Sequence, residues 1–179
     1  MELLLHIVRE RKIIDKVEQI TENIKAVKLY MHFHQKINTF PQSLKHLNLN
    51  RNFNETIGEL PEHLLYLQLS IIFGQKLKKF PQCLLYLNLG CHFNYENMEL
   101  PQYLIYIHLG FKDIKINKFP LYLIYLNLGY RFDQEIEPLP QYLLYLLLSR
   151  YYTKNIINYP KRLNILNYLE RDLYLESIQ

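Results

Sequence analysis

The prolines of this chain are spaced like the marks on a rule. Pro41, Pro61, Pro81, Pro101, Pro120, Pro140 and Pro160 follow one another at intervals of 20 residues, with one interval of 19 between Pro101 and Pro120. A fixed period of this length means a solenoid, in which each unit is one supersecondary turn that cannot bury its apolar face alone and stacks on its neighbours. Counting each Pro as place 1, place 4 is Leu44, Leu64, Leu84, Leu104, Leu123, Leu143 and Leu163, and place 7 is Leu47, Leu67, Leu87, Ile107, Leu126, Leu146 and Leu166. Place 9 is mostly Leu, and an aromatic follows at place 13 as Phe53, Phe73, Phe93, Phe132 and Tyr152. A further unit without its Pro begins at Thr21, with Ile24, Val27, Leu29, Phe33, Ile37 and Phe40 in the same register.

Places 4 to 10 read Leu-x-x-Leu-x-Leu-x, and the alternation at places 7 and 9 is the period of a strand with one buried face. Each unit therefore carries one short parallel strand. About ten residues remain for the return, too few for a helix and two turns, so the return is extended or 3₁₀. The fold class expected is a leucine-rich-repeat-like solenoid, and eight coils at roughly 4.8 Å each make a rod on the order of 40 Å long.

The ends differ from the repeats. Residues 1–20 alternate apolar clusters with charges, which fits either an amphipathic helix or a degenerate first coil with its strand at Leu5 to Ile7. Residues 21–168 form the repeats. Residues 169–179 form a C-terminal cap, with Leu163, Leu166, Leu169, Leu173 and Leu175 closing the last coil.

Side chains at places 6, 8 and 10 are expected to leave the core on the concave strand face. Place 6 holds His46, Tyr66, Tyr86, Tyr106, Tyr125 and Tyr145, beside an amide row at place 8 that includes Asn48, Gln68, Asn88 and Asn127. Tyrosine covers much area with two rotatable angles and keeps a hydroxyl, which suits a binding surface. Stacked identical side chains also stabilise neighbouring parallel strands, and the two roles are compatible. The partner-binding set is Tyr66, Tyr86, Tyr106, Tyr125, Tyr145, Asn88, Asn127 and Leu147. Leu147 interrupts the amide row, as an apolar anchor or as a capping contact. Asn54, Asn94 and Asp133, which follow the place-13 aromatic, are expected to bond backbone groups of the turn.

Little points to catalysis. There is no Gly-rich phosphate loop, nucleophile elbow or paired-carboxylate motif. His32, His34 and His46 form the one His cluster but lack Cys or carboxylate partners at zinc spacing, so no metal and no cofactor are expected. Cys83 and Cys91 lie eight apart with no CxxC and read as free thiols of a reducing compartment. The net charge of +4 is scattered, without the block of like charges that marks a nucleic-acid or membrane arm. The longest apolar run, Tyr142 to Leu148, is far short of the roughly 20 residues that cross a membrane, and the N-terminus lacks a signal-peptide pattern. A cytoplasmic protein with no membrane contact is expected.

The pattern resembles the FNIP repeats, a leucine-rich-repeat-like family found in social amoebae and giant DNA viruses. The residues that carry the likeness are Leu87-Asn88-Leu89-Gly90 with Phe93-Asn94, Leu47-Asn48-Leu49 with Phe53-Asn54-Glu55, and Leu126-Asn127-Leu128-Gly129 with Phe132-Asp133-Gln134. The Ile-Pro of the family motif is mostly missing and the unit is slightly shorter. The resemblance implies a non-catalytic protein-interaction scaffold, with a host protein as partner if the chain is viral. Members often carry an N-terminal F-box, but about 20 residues before the repeats are too few for one, so a ubiquitin-ligase role is not carried over. A second reading makes the chain a nucleic-acid or anionic-surface binder using Lys25, Lys28, Lys45 and Arg51 near one end and Arg150, Lys154, Lys161 and Arg162 near the other. A third leaves it a structural family copy without a partner.

Overall fold

In the computed structural model, residues 11–94, 99–111, 115–136 and 138–166 are described. They form one nine-stranded parallel sheet whose spatial order is the chain order. The strands are β1 (Lys12–Ile14), β2 (Ala26–Leu29), β3 (His46–Asn48), β4 (Tyr66–Gln68), β5 (Tyr86–Asn88), β6 (Tyr106–His108), β7 (Tyr125–Asn127), β8 (Tyr145–Leu147) and β9 (Asn164–Leu166). Each coil contributes one strand. Among the described residues the helical content is one 3₁₀ turn at Val17–Gln19, in the first return.

The period fixes the register. Leu47 pairs with Leu67, Leu67 with Leu87, Leu87 with Ile107, Ile107 with Leu126 and Leu126 with Leu146, so place 7 stacks on place 7. The places 4, 7 and 9 leucines from Leu44 to Leu128 and the place-13 phenylalanines fill one continuous core. Phe53 and Phe73 stack with ring centroids 6.3 Å apart, and Phe73 and Phe93 at 6.1 Å. The unit starting at Thr21 is in register too, since Ile24, Val27, Leu29, Phe33, Ile37 and Phe40 are all buried.

The recurring Pro sets the corner before each strand from β3 to β9. The place-4 amide donates to the place-1 carbonyl, as in Leu64 to Pro61 (3.0 Å) and Leu143 to Pro140 (3.1 Å). Proline suits place 1 because it has no N–H to satisfy, while its carbonyl closes the turn. After the strand the chain turns again at place 10, by two routes. Asn50, Gly90, Gly110 and Gly129 adopt positive φ, the left-handed region in which glycine is unstrained. Ser70 and Ser149 instead donate their hydroxyls to the carbonyls of Phe53 and Phe132 in the preceding coil, each at 2.5 Å. Place 10 is therefore a buried corner, where a face-lining side chain had been expected: Ser70 and Ser149 are buried.

Two ends depart from the periodic expectation. The first described coil is short: Lys12 pairs with Val27, 15 residues on, and Ile14 fills the core opposite Leu29. The expected strand at Leu5 to Ile7 lies outside the described residues. At the other end Leu146 pairs with Ile165, and Leu166 stands opposite Leu147, one residue off the proline-derived register. A one-residue slip moves every side chain of a strand to the other face. Ile165 takes the place opposite the buried Leu146, yet it is 37% exposed in this last described strand. The C-terminal cap expected at 169–179 lies outside the described residues.

Candidate interaction surfaces

The place-6 side chains build a single column of rings along the strand face. His46 stacks on Tyr66 at 3.9 Å, Tyr66 on Tyr86 at 4.1 Å, Tyr86 on Tyr106 at 4.2 Å and Tyr106 on Tyr125 at 4.6 Å, all within 12° of parallel. Tyr145 continues the row but tilts by 38°, at 6.2 Å from Tyr125. Parallel pairing in register forces this geometry, since identical residues on adjacent strands lie one strand spacing apart. The ring faces cover one another, and Tyr66, Tyr86, Tyr106, Tyr125 and Tyr145 are half-buried. Burial pushes the Tyr66 and Tyr106 phenols well up, with a smaller contribution from the neighbouring Tyr86. The column keeps partial exposure, and within it the Tyr86 hydroxyl bonds those of Tyr66 and Tyr106.

The amide row has mostly local work. The side-chain carbonyl of Asn88 accepts from the Gly90 amide at 3.0 Å, and those of Asn48 and Asn127 accept from Asn50 and Gly129 at 2.8 Å each. These bonds hold the left-handed corner of place 10. Gln68, with no such corner after it, receives the Tyr66 hydroxyl at 2.9 Å and the Asn48 amide at 3.0 Å. Asn127 is buried, and Leu147, expected to stand exposed, is only 3% exposed. Of the eight side chains expected to meet a partner, the five tyrosines and Asn88 keep exposed surface; Asn127 and Leu147 do not. Asn54 and Asp133 reach further than expected, accepting from the Gly74 and Thr153 amides of the next coil at 2.8 and 2.7 Å.

His46 ends the ring column and is almost fully buried, with no hydrogen-bond partner for either ring nitrogen among the described residues. Burial first, and the Arg11 charge second, lower its pKa to about 4. It is a neutral ring at physiological pH. Cys83 and Cys91 are free thiols, with Cys83 Sγ 3.9 Å from His63 Nδ1. Among the described residues no group of three His, Cys, Asp or Glu side chains is placed to hold a metal ion, and no helix is long and apolar enough to cross a membrane.

Two flanking surfaces were not singled out in the sequence. Where the chain leaves the strands, Phe111 and Tyr130 stack at 4.7 Å, Arg131 lies 5.0 Å over the Phe111 ring, and Arg150 donates to the Tyr130 hydroxyl at 3.3 Å. Hydrogen bonds from Tyr151 and Arg150 hold the Tyr130 phenol below its usual value. Where the chain enters the strands, Tyr103, Tyr122 and Tyr142 at place 3 and Ile124 at place 5 stand exposed. The repeat alignment contains that signal, but neither place falls in the simple in–out alternation of a strand.

The architecture defines a parallel β-solenoid of leucine-rich-repeat type, with one strand per coil of about 20 residues. Residues 33–71 match the FNIP Repeat family, so the chain carries this repeat. Among solved structures it is similar to CroV588, a circular leucine-rich-repeat protein of a giant virus, at 32% identity and a TM-score of 0.66. The match covers 82% of this chain and 24% of that one, so this chain spans about a quarter of the length of the protein it resembles. No curated protein matches the sequence.

Proposed function

We propose that the chain is a non-catalytic scaffold that holds a protein partner along the strand face, on the edges and hydroxyls of Tyr66, Tyr86, Tyr106, Tyr125 and Tyr145. The supporting observation is the stacked column itself. Rings locked between neighbours at 4.1 to 4.6 Å have lost their rotamer freedom during folding, so a partner orders nothing further when it docks on them. Asn88 lies beside the column and keeps partial exposure. The repeat family and the leucine-rich-repeat-like solenoid fit an interaction role. A cytoplasmic setting, and a host protein as partner if the chain is viral, remain part of this reading.

The test uses substitutions that keep the stack. A partner recovered by affinity capture is titrated against the unaltered protein, a Tyr86→Phe, Tyr106→Phe, Tyr125→Phe triple variant and a Lys78→Ala, Lys115→Ala control. Three lost hydrogen bonds at about 1 kcal/mol each weaken binding at least about tenfold in the triple variant. Equal loss from the lysine pair would point to electrostatic binding. A triple variant that binds like the unaltered protein would remove the strand face from consideration. The anionic-surface reading has its own signature, a steep salt dependence of binding to single-stranded nucleic acid.

A further inference from the structure

The entry side of the strands carries a groove that the strand-face reading does not use. It runs across the coils, with Ile105, Ile124 and Leu144 of place 5 as its floor and Tyr122 and Tyr142 of place 3 as its wall. Its volume is about 570 Å³, and Pro160, Lys161 and Arg162 close it at the last coil. Tyr122 and Tyr142 lie nearly parallel with centroids 6.0 Å apart, wider than any pair in the column from His46 to Tyr125. Each is half-exposed, as is Tyr103 on the same edge, and Leu121 adds 52% exposure beside them. Exposed apolar side chains gathered in one stripe, rather than scattered, mark a place where another molecule sits.

The ends of the groove are chemically different. Place 3 is tyrosine at 103, 122 and 142 and becomes Arg162 in the last coil, while place 2 becomes Lys161. Among the described residues no carboxylate lines the groove, and Lys161 and Arg162 are exposed and form no ion pair. An occupant that is apolar over the tyrosine coils and negative at the last coil meets complementary chemistry at both ends.

Length specifies the occupant further. From the coil of Ile105 to that of Arg162 is three coil steps, about 14 Å at one strand spacing per step. An extended peptide rises about 3.3 Å per residue, so alternate side chains lie about 6.6 Å apart and the fourth residue on lies about 13 Å away. We propose that this groove binds an extended segment of a partner protein with the pattern apolar-x-apolar-x-acidic. The two apolar side chains lie between the tyrosine wall and the place-5 floor, and the acidic residue meets Lys161 and Arg162. The site shares no side chain with the tyrosine column, so it stands or falls separately from the strand-face reading.

The experiment is a fluorescence-anisotropy titration of the full chain with labelled pentapeptides of that pattern. The apolar positions are Leu, Ile, Phe or Tyr, and the last residue is Glu or Lys. At least one Glu peptide is expected to bind saturably and at least about tenfold more tightly than its Lys counterpart. Ile124→Asp, which places a charge on an already exposed position, abolishes that binding, and Lys161→Glu with Arg162→Glu reverses the preference so that the Lys peptide binds better. Tyr86→Phe leaves both affinities unchanged, and circular dichroism confirms that each variant is folded. Failure of every peptide to bind, equal binding of Glu and Lys peptides, or a self-association abolished by Ile124→Asp would each overturn the proposal.

Discussion

Gly110→Ala places one methyl group where the solenoid has no room for it. Gly110 has φ of +81°, and a Cβ built there would lie 1.5 Å from the carbonyl oxygen of Gly90 in the preceding coil. The left-handed backbone alone costs a residue with a side chain about 1–2 kcal/mol. Relief of the contact requires two coils to part locally by more than an ångström. That movement disturbs the bond from the Tyr130 amide to the Gly110 carbonyl, 2.9 Å long, and the packing of Leu109. The combined loss is about 3–5 kcal/mol, the range of severe backbone substitutions. Gly74→Ala is the matched control, because its Cβ would meet its nearest neighbour at 3.9 Å and its φ is not positive. It should be neutral, or stabilise by up to about 1 kcal/mol through the unfolded chain. Urea unfolding followed by circular dichroism measures both; with a slope of about 2 kcal/mol per molar, Gly110→Ala lowers the midpoint by roughly 1.5–2.5 M. Equal midpoints for the two alanine variants would refute the close stacking of place 10 on place 10.

Other outcomes follow from the same packing. Leu87→Ala, which opens a cavity between Leu67 and Ile107, should cost about 2–5 kcal/mol in urea unfolding, and a loss below about 1 kcal/mol would mean that place 7 is not in the core. Ser70→Ala leaves the Phe53 carbonyl without its 2.5 Å donor and should cost about 1–3 kcal/mol, measured the same way. His46 has a folded pKa lowered to about 4 from 6.5, so the unfolded chain takes up the proton first. Its contribution to stability is intact above about pH 6.5 and falls as the pH drops toward 4, by up to about 1.4 kcal/mol per pH unit. His46→Phe should flatten that part of the stability–pH curve, and an unchanged curve would mean that His46 is hydrated or paired.

The core was legible because it is written at a fixed period. Leu64, Leu84 and Leu104, or Phe53, Phe73 and Phe93, recur every 20 residues, and a parallel sheet in chain order converts that recurrence directly into stacking. The tyrosine column was legible for the same reason. Its degree of burial was not, since alternation gives the direction of a side chain and not what its neighbours cover. Asn88 and Asn127 show a second limit. They look like a solvent-facing amide row until the left-handed corner two residues later is seen to need an acceptor for its amide. Leu147 shows a third, lying on the outward phase of the strand yet buried. The slip at β9 occurs although Pro140 and Pro160 keep the 20-residue spacing, so the spacing of the corners does not by itself determine which residues pair.

The continuous core, the tyrosine column and the entry-side groove all depend on successive coils advancing by one strand spacing in chain order. Spin labels at Gln42, Gln141 and Lys161, all exposed at place 2 of their coils, measure that advance by pulsed electron paramagnetic resonance in a Cys83→Ser, Cys91→Ser background. The expected separations are about 24 Å for Gln42 with Gln141, five coils apart, and about 29 Å for Gln42 with Lys161, six coils apart. Equal distances for the two pairs, or a shorter distance for the sixth coil than for the fifth, would contradict a one-strand-per-coil solenoid.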